Sequence, residues 1–186
     1  RFISRVFTLG VEKLSNDELQ IGSALIDLGY EKISLGLFKK LALVHSITFP
    51  IGTNHIHKDI SKVCALTFSE SENVIKNVDF TFQNNKKLFD ENDYLKSIYF
   101  TNSSFRKISK NLIENVIKAR LDEIINILNK QIKLANFTSN TLMSFALEDN
   151  SNLINIKKYF TNFFGFNFKK YEKQTFNGNY DSSENF

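Results

Sequence analysis

Three apolar runs near the start of the chain set the first expectation. Residues 22–28, 32–38 and 41–49 are short, rich in aliphatic side chains and bounded by turn-forming or polar positions, which is the pattern of strands. The first run is almost wholly apolar, as suits a central strand covered on both faces. Lys39-Lys40 marks the turn between the second and third runs, and Pro50, which has no amide for a ladder, ends the third. Ahead of them, residues 1–20 begin semi-regular and close on Ser15-Asn-Asp-Glu-Leu-Gln20, whose polarity reads as a loop.

Beyond Pro50 the period lengthens. Ile56, Ile60, Val63 and Cys64 share one helical face and predict a helix over 55–66. Ser69-Glu-Ser-Glu72 has the acidic start of a second helix. Residues 77–100 are irregular and polar, with strand candidates over 78–82 and 97–101. The longest helix is predicted over 104–134, with Ile108, Leu112, Val116, Ala119, Ile124, Leu128 and Ile132 as its apolar stripe. Residues 141–147 read as a buried strand, 151–164 as a helix and 166–168 as a last short strand. The polar end, 175–186, reads as frayed. The order βββα, insertion, long helix, βαβ predicts an α/β fold, a mixed sheet with helices on its faces.

Composition narrows this picture. With 42% hydrophobic residues and 19 Phe, the 186-residue chain buries a real core and is not a disordered segment. The single Cys64 excludes an internal disulfide and reads as a small buried hydrophobe rather than a catalytic thiol. No apolar run has the length of a membrane span, and no signal peptide opens the sequence. The first residue is Arg, so an excised piece of a longer protein is expected. A net charge of +4 permits an acidic partner. Basic–aromatic repeats that would stack on single strands are missing, and nucleic acid is not expected as a partner.

Three stretches, taken in order, carry a resemblance. Residues 24–29, Ala-Leu-Ile-Asp-Leu-Gly, begin as a phosphate loop does. Residues 47–60, Ile-Thr-Phe-Pro-Ile-Gly-Thr-Asn-His-Ile-His-Lys-Asp-Ile, are similar to the strand, Pro, Gly-Gly, Asn, Ile-Thr, Asp-Ile sequence of the FtsA family of bacterial cell-division proteins. Pro50, Gly52, Asn54, Ile56, Asp59 and Ile60 agree, while Thr53 replaces the second Gly and His57 the Thr. Residues 116–125 match the family's Val-Ile, Arg, Glu and paired aliphatics. The resemblance covers roughly residues 5–168. It implies an actin-like (ribonuclease H-like) mixed five-stranded sheet with a small inserted α+β subdomain. Residues 21–67 with 135–170 would form the ribonuclease H-like subdomain, and 68–134 the insertion with the long helix. Residues 1–20 would lead in from an N-terminal lobe outside this chain, and 171–186 would be a tail. The family's membrane-targeting amphipathic helix is also expected to lie outside it.

The same resemblance implies a nucleotide site, with ATP and Mg²⁺ as possible ligands of the full-length protein. Its positions fall on Asp27, Gly29, Lys32, Gly52, Glu72 and Asp149. Asp27 would position Mg²⁺ or its water, and the glycines would let backbone amides approach the phosphates. Here Tyr30 and Glu31 replace the later glycines. A Glu31 carboxylate at about 4 Å from a phosphate repels it by about 4 kcal/mol at an effective dielectric near 20; Lys32, turned inward, would offset part of this. A tight turn is the favoured reading of the loop. Where the family has Thr-Gly-Gly and a later Gly, this chain has Leu147, Glu148, Asp149 and Asn155. Residues 148–151 read instead as a helix start capped by Asn150 or Ser151. Glu72 falls on a nucleoside-contacting Glu, but the family's Lys is displaced here to Lys76, and an i,i+4 surface pair is the plainer reading. His55 and His57 point to different helix sides, so no metal is assigned to them.

The long helix gives a different expectation. In the FtsA family the smaller subdomain binds the acidic C-terminal peptide of FtsZ, and Arg106, Lys110 and Arg120 fall on basic positions of that region. Arg is suited to paired hydrogen bonds with a carboxylate. Lys157, Lys158, Lys169, Lys170 and Lys173 read as a solvated surface rather than a membrane anchor. The resemblance therefore implies a cell-division scaffold peripheral to the inner face of the membrane. It would link FtsZ to the membrane and to other divisome proteins, self-associate into filaments, and have little or no ATPase activity. The alternative is an actin-like ATPase, kinase- or chaperone-like, that still binds ATP-Mg.

Overall fold

The computed structural model describes residues 4–80, 88–137, 142, 144–149, 153–165 and 168–171. Five strands form one mixed sheet: β1 (Ser23–Leu28), β2 (Ile33–Lys39), β3 (Ala42–Phe49), β4 (Ser144–Asp149) and β5 (Phe168–Tyr171), in the order β3-β2-β1-β4-β5. The β1–β2 and β2–β3 pairs are antiparallel, and β1–β4 and β4–β5 are parallel. The central strand β1 is buried along its whole length, while β3, at the edge, alternates exposed and half-buried positions.

One face of the sheet carries the larger core. Ala24, Ile26, Leu28, Leu35, Leu37, Phe145 and Leu147 meet α3 (Asn54–Val63), α4 (Phe68–Ile75), α5 (Lys110–Leu134) and α6 (Ile156–Phe164) in one continuous apolar cluster. The inserted segment thus shares the core of the sheet. Cys64 is buried there, and burial pushes its thiol pKa up to about 11, with Arg106 opposing, so it packs as a hydrophobe.

The opposite face is covered by residues expected to be a lead-in and a loop. They form α1 (Arg5–Lys13) and α2 (Asn16–Ile21), whose Val6, Leu9, Leu14 and Leu19 bury against Leu25, Phe38 and Ala146. The polar run from Ser15 is a helix start. The Ser15 hydroxyl accepts from Glu18 N at 3.3 Å, and the Glu18 carboxylate accepts from Ser15 N at 2.9 Å. Leu14 and Leu19 flank this capping box as a hydrophobic staple. Its polar residues serve the cap.

Other boundaries move for similar reasons. Thr67 caps α4 with Glu70 in a second capping box, so that helix starts at Phe68. Ser109 caps α5 by accepting from Leu112 N at 3.2 Å, while Ile108 belongs to an extended segment whose carbonyl accepts from Leu95 N. The buried stripe of α5 is Ile113, Ile117, Leu121, Ile124, Ile125, Leu128 and Ile132; Leu112 and Ala119 face solvent. Aliphatic residues lie on two adjacent rows in the first half of this helix, and the core takes Ile113 and Ile117, each one residue later than predicted. Residues 97–99 make a turn of 3₁₀ helix rather than a strand. Asp79 forms an isolated bridge to Ile154, while 81 and 82 lie outside the described residues. The helix expected from Ser151 begins at Ile156, after a left-handed Asn155 with φ 60°. Asn150, Ser151, residues 166–167 and the tail beyond Tyr171 lie outside the described residues.

Candidate functional site

Strand alternation sends Ser23, Leu25 and Asp27 toward α1, and registers a polar row across four strands. Thr48 on β3, Ser34 on β2, Asp27 on β1 and Glu148 on β4 lie side by side. The Ser34 and Thr48 hydroxyls are 2.9 Å apart. Asp27 is 6% exposed and Glu148 2%. Two carboxylates paired in register on neighbouring strands, the strands themselves about 4.8 Å apart, are costly to bury without compensation. Helix α1 supplies it. Arg5 donates through Nε to Asp27 Oδ2 at 2.8 Å and through Nη2 to Oδ1 at 3.5 Å. Lys13 Nζ sits 3.2 Å from Glu148 Oε2, a charge contact without hydrogen-bond direction. The residues here do not fit Mg²⁺, because the oxygens that would hold it already face protein cations.

Beyond Asp27 the chain turns tightly, as expected. Gly29 N donates to Lys32 O at 3.0 Å, and a Cβ on Gly29 would stand 2.8 Å from that oxygen. The turn is pinned to the loop after β3, since Thr53 N donates to Gly29 O (3.1 Å) and Asn54 N to Tyr30 O (2.8 Å). A Cβ on Gly52 would lie 2.2 Å from Tyr30 O. Both family-like glycines are thus required by close backbone packing. Glu31 and Lys32 are exposed. The Tyr30 ring reaches toward α4, its hydroxyl donating to Glu72 at 3.4 Å. Partial burial and the neighbouring Glu72 raise the Tyr30 pKa. His57 packs between Tyr30 and Phe68 at centroid distances of 6.0 and 5.7 Å. Burial lowers the His57 pKa against the pull of Glu72, and Lys76 adds to the lowering. Glu72 meets Tyr30, and no Glu72–Lys76 ion pair forms among the described residues. His55 accepts from Gly52 N through Nδ1 at 3.2 Å.

Asp27, Gly29, Lys32 and Gly52 therefore lie along the end of β1 and the loops beside it, Asp27 facing α1, while Tyr30 links the turn to Glu72 of α4 on the other face. Asp149 ends β4 opposite Leu28, on the other face from Asp27 and Glu148.

Two of the three basic residues of the predicted peptide site, Arg106 and Arg120, reach α3 or the chain just past it. Arg120 grips Asp59 through Nε and Nη2 at 2.7 and 3.0 Å, and Glu123 through Nη1 at 2.5 Å. Hydrogen bonding to Asp59 raises the Arg120 pKa against partial burial, with the charges of Asp59 and Glu123 assisting. Asp59, Val63, Val116, Ala119, Arg120 and Glu123 line an open groove of about 240 Å³. The Arg106 guanidinium donates to Ala65 O, just past α3. Lys110 opens α5 and its backbone N–H donates to Asp93 O at 3.0 Å. Arg120 thus meets α3 itself and Arg106 the chain just past it.

Sequence reasoning passed over three side chains that matter here. Arg5 and Lys13 bracket the buried Leu9 at i, i+4, i+8 spacing, a sign that a helix ahead of an acid-bearing strand turns cations inward. Glu70 is wholly buried. It accepts from Thr67 N (2.7 Å), Asn102 N (2.7 Å), Ser103 N (3.0 Å) and Ser103 Oγ (2.8 Å), tying the loop before α5 to α4. Burial works to raise its pKa, but these donors outweigh it and hold the carboxyl well below the usual range. The Thr67-x-x-Glu70 spacing of a capping box was its signal.

The architecture has solved counterparts. The chain superposes with a TM-score of 0.65 on MreB5 of Spiroplasma citri bound to ADP, at 20% identity over 90% of this chain and 54% of that one. EutJ, an ethanolamine utilization protein of Carboxydothermus hydrogenoformans, gives 0.60 at 14% identity over 90% and 49%. The fold is that of an actin-like protein. Within that class, the family model described as "Cell division protein FtsA" matches residues 24–184, and the chain belongs to that family. It is 26% identical over 129 residues to cell division protein FtsA of Bacillus subtilis, and 23% identical over 128 residues to that of Helicobacter pylori strain 26695. These matches take in 69% and 68% of this chain but only 29% and 26% of the relatives' length.

Proposed function

We propose that the chain is the C-terminal portion of an FtsA-type division scaffold, and that its α3–α5 side recognises the acidic C-terminal peptide of FtsZ. Family membership supports the role. The observation that carries the site is Arg120 lining an open groove between α3 and α5, with Arg106 reaching the chain just past α3; Lys110, the first residue of α5, joins the site in this proposal. Arg120 already has Asp59 as a partner, so an incoming carboxylate competes with Glu123, which holds a single contact and is about half exposed. Arg106 and Lys110 guide the rest of the peptide. The division into 21–67 with 135–170 and an inserted 68–134 belongs to the same proposal. So do residence on the inner face of the membrane at the division site, filament formation and contact with other divisome proteins.

Charge reversal tests the site. Arg106→Glu with Lys110→Glu spares the Arg120–Asp59 tie and is expected to weaken binding of an FtsZ-tail peptide at least about tenfold, or 1.4 kcal/mol. Affinity unchanged in a folded double variant rejects the assignment.

In this reading the strand-end nucleotide site is weakened, because Tyr30 and Glu31 take the place of small residues and Arg5 holds Asp27. A second reading, an actin-like ATPase with a working site, draws on Asp27 and Gly29 standing at the strand end next to Gly52. A fluorescent ATP analogue offered to the full-length protein separates them: weak, Mg²⁺-insensitive binding favours the scaffold, and Mg²⁺-dependent affinity favours the ATPase.

A further inference from the structure

We infer that Arg5 and Lys13 of α1 are resident counter-cations of the strand-end carboxylates, taking the place a divalent metal would need and making this site metal-independent. The inference concerns the lobe alone and stands whether or not the seam of α3 and α5 binds a peptide.

Three observations carry it. The first is occupancy: Arg5 spans both oxygens of Asp27, at 2.8 and 3.5 Å, and Lys13 faces Glu148 Oε2 at 3.2 Å. Mg²⁺ requires oxygen ligands at roughly 2.0–2.1 Å in an octahedron and keeps several waters, so it would have to displace the guanidinium from the Asp27 oxygens. The second is charge. Arg5 and Lys13 bring two positive charges to the two buried carboxylates, with the Glu12 carboxylate 4.0 Å from Lys13, so a divalent ion would have to displace cations already resident there.

The third is the position of Arg5 on its helix. It is the first residue of α1, where the helix dipole disfavours a cation, and the first turn holds no acidic residue. Its placement answers to Asp27, 22 residues along the chain, rather than to the helix. Lys13, eight residues on, stands about 12 Å further along the axis. The long side chains converge from the two ends of α1 on neighbouring strands, with Leu9 between them in the core. The same contacts clamp α1 to the sheet, so the acidic pair works as an internal fastening.

The test uses Mn²⁺ alone, followed by its free electron paramagnetic resonance signal and by the melting temperature of the chain. The unaltered chain is expected to take up no saturable Mn²⁺ below millimolar concentration and to show no Mn²⁺-dependent shift in melting. Arg5→Gln with Lys13→Gln should uncover the carboxylates and strengthen Mn²⁺ binding roughly tenfold or more, and adding Asp27→Asn should abolish that gain. Sub-millimolar binding by the unaltered chain that Asp27→Asn removes overturns the inference, as does a folded double variant whose Mn²⁺ affinity does not change. Should the double variant fail to fold, Asp27→Asn alone decides by the first of these criteria.

Discussion

Glu70 and Gly52 show how much single residues fix around the site. The Glu70 carboxylate gathers donors from the α4 cap and from the loop before α5, so Glu70→Gln should cost about 2 kcal/mol at pH 7 by losing charge-assisted bonds. The direction with pH follows from its lowered pKa. The stabilisation is fully present above the ordinary glutamate value, roughly 4.3, and is lost progressively as pH falls below it. Urea midpoints between pH 7 and pH 3 should therefore fall more steeply for the native protein than for Glu70→Gln. Gly52→Ala places a methyl 2.2 Å from Tyr30 O. The backbone has to yield there, and a loss of about 1–3 kcal/mol is expected from overpacking, read as a lower urea midpoint at unchanged slope.

At the scale of elements, the tie between α3 and α5 is the most exposed to test. Arg120 is 22% exposed and Asp59 30%, and their two-pronged contact lies between a surface pair and a buried one. A double-mutant cycle of Arg120→Ala and Asp59→Ala should give a coupling of about 1 kcal/mol; a value indistinguishable from zero would mean that the seam is held by apolar packing alone. The elements also show what a sequence makes legible. The first three strands were read nearly to the residue, because a fully buried strand is largely apolar and an edge strand alternates. By contrast, β4 runs on through Glu148 and Asp149, which had read as a helix start, and β5 lies later than expected. The segment before them was misread, because a capping box is built from the same polar residues as a loop and differs only in their spacing. The start of α5 was placed too early because Ile108 continues an apolar period that the Ser109 cap interrupts.

For the whole molecule, the candidate site was legible in part. Asp27, Gly29 and Gly52 were pointed to by the family resemblance, and the structure sets the two glycines in close backbone contacts at the end of β1. Arg5 and Lys13 were not, since their partners lie 22 and 135 positions away and only the folded sheet brings them together. The Asp59 partner of Arg120 likewise belongs to another element, 61 positions away. What emerges is an actin-like lobe of the FtsA family whose strand end carries its own counter-charges and whose α3–α5 side offers cations beside a groove. Recognition of an acidic segment is the function proposed for this lobe. Titrating the chain with a labelled FtsZ C-terminal peptide, and with the same peptide carrying amides in place of its carboxylates, tests this most directly. Saturable binding of the acidic peptide, weakened about tenfold or more by the amides, is the predicted result; equal affinity for both, or no saturable binding of either, would contradict it.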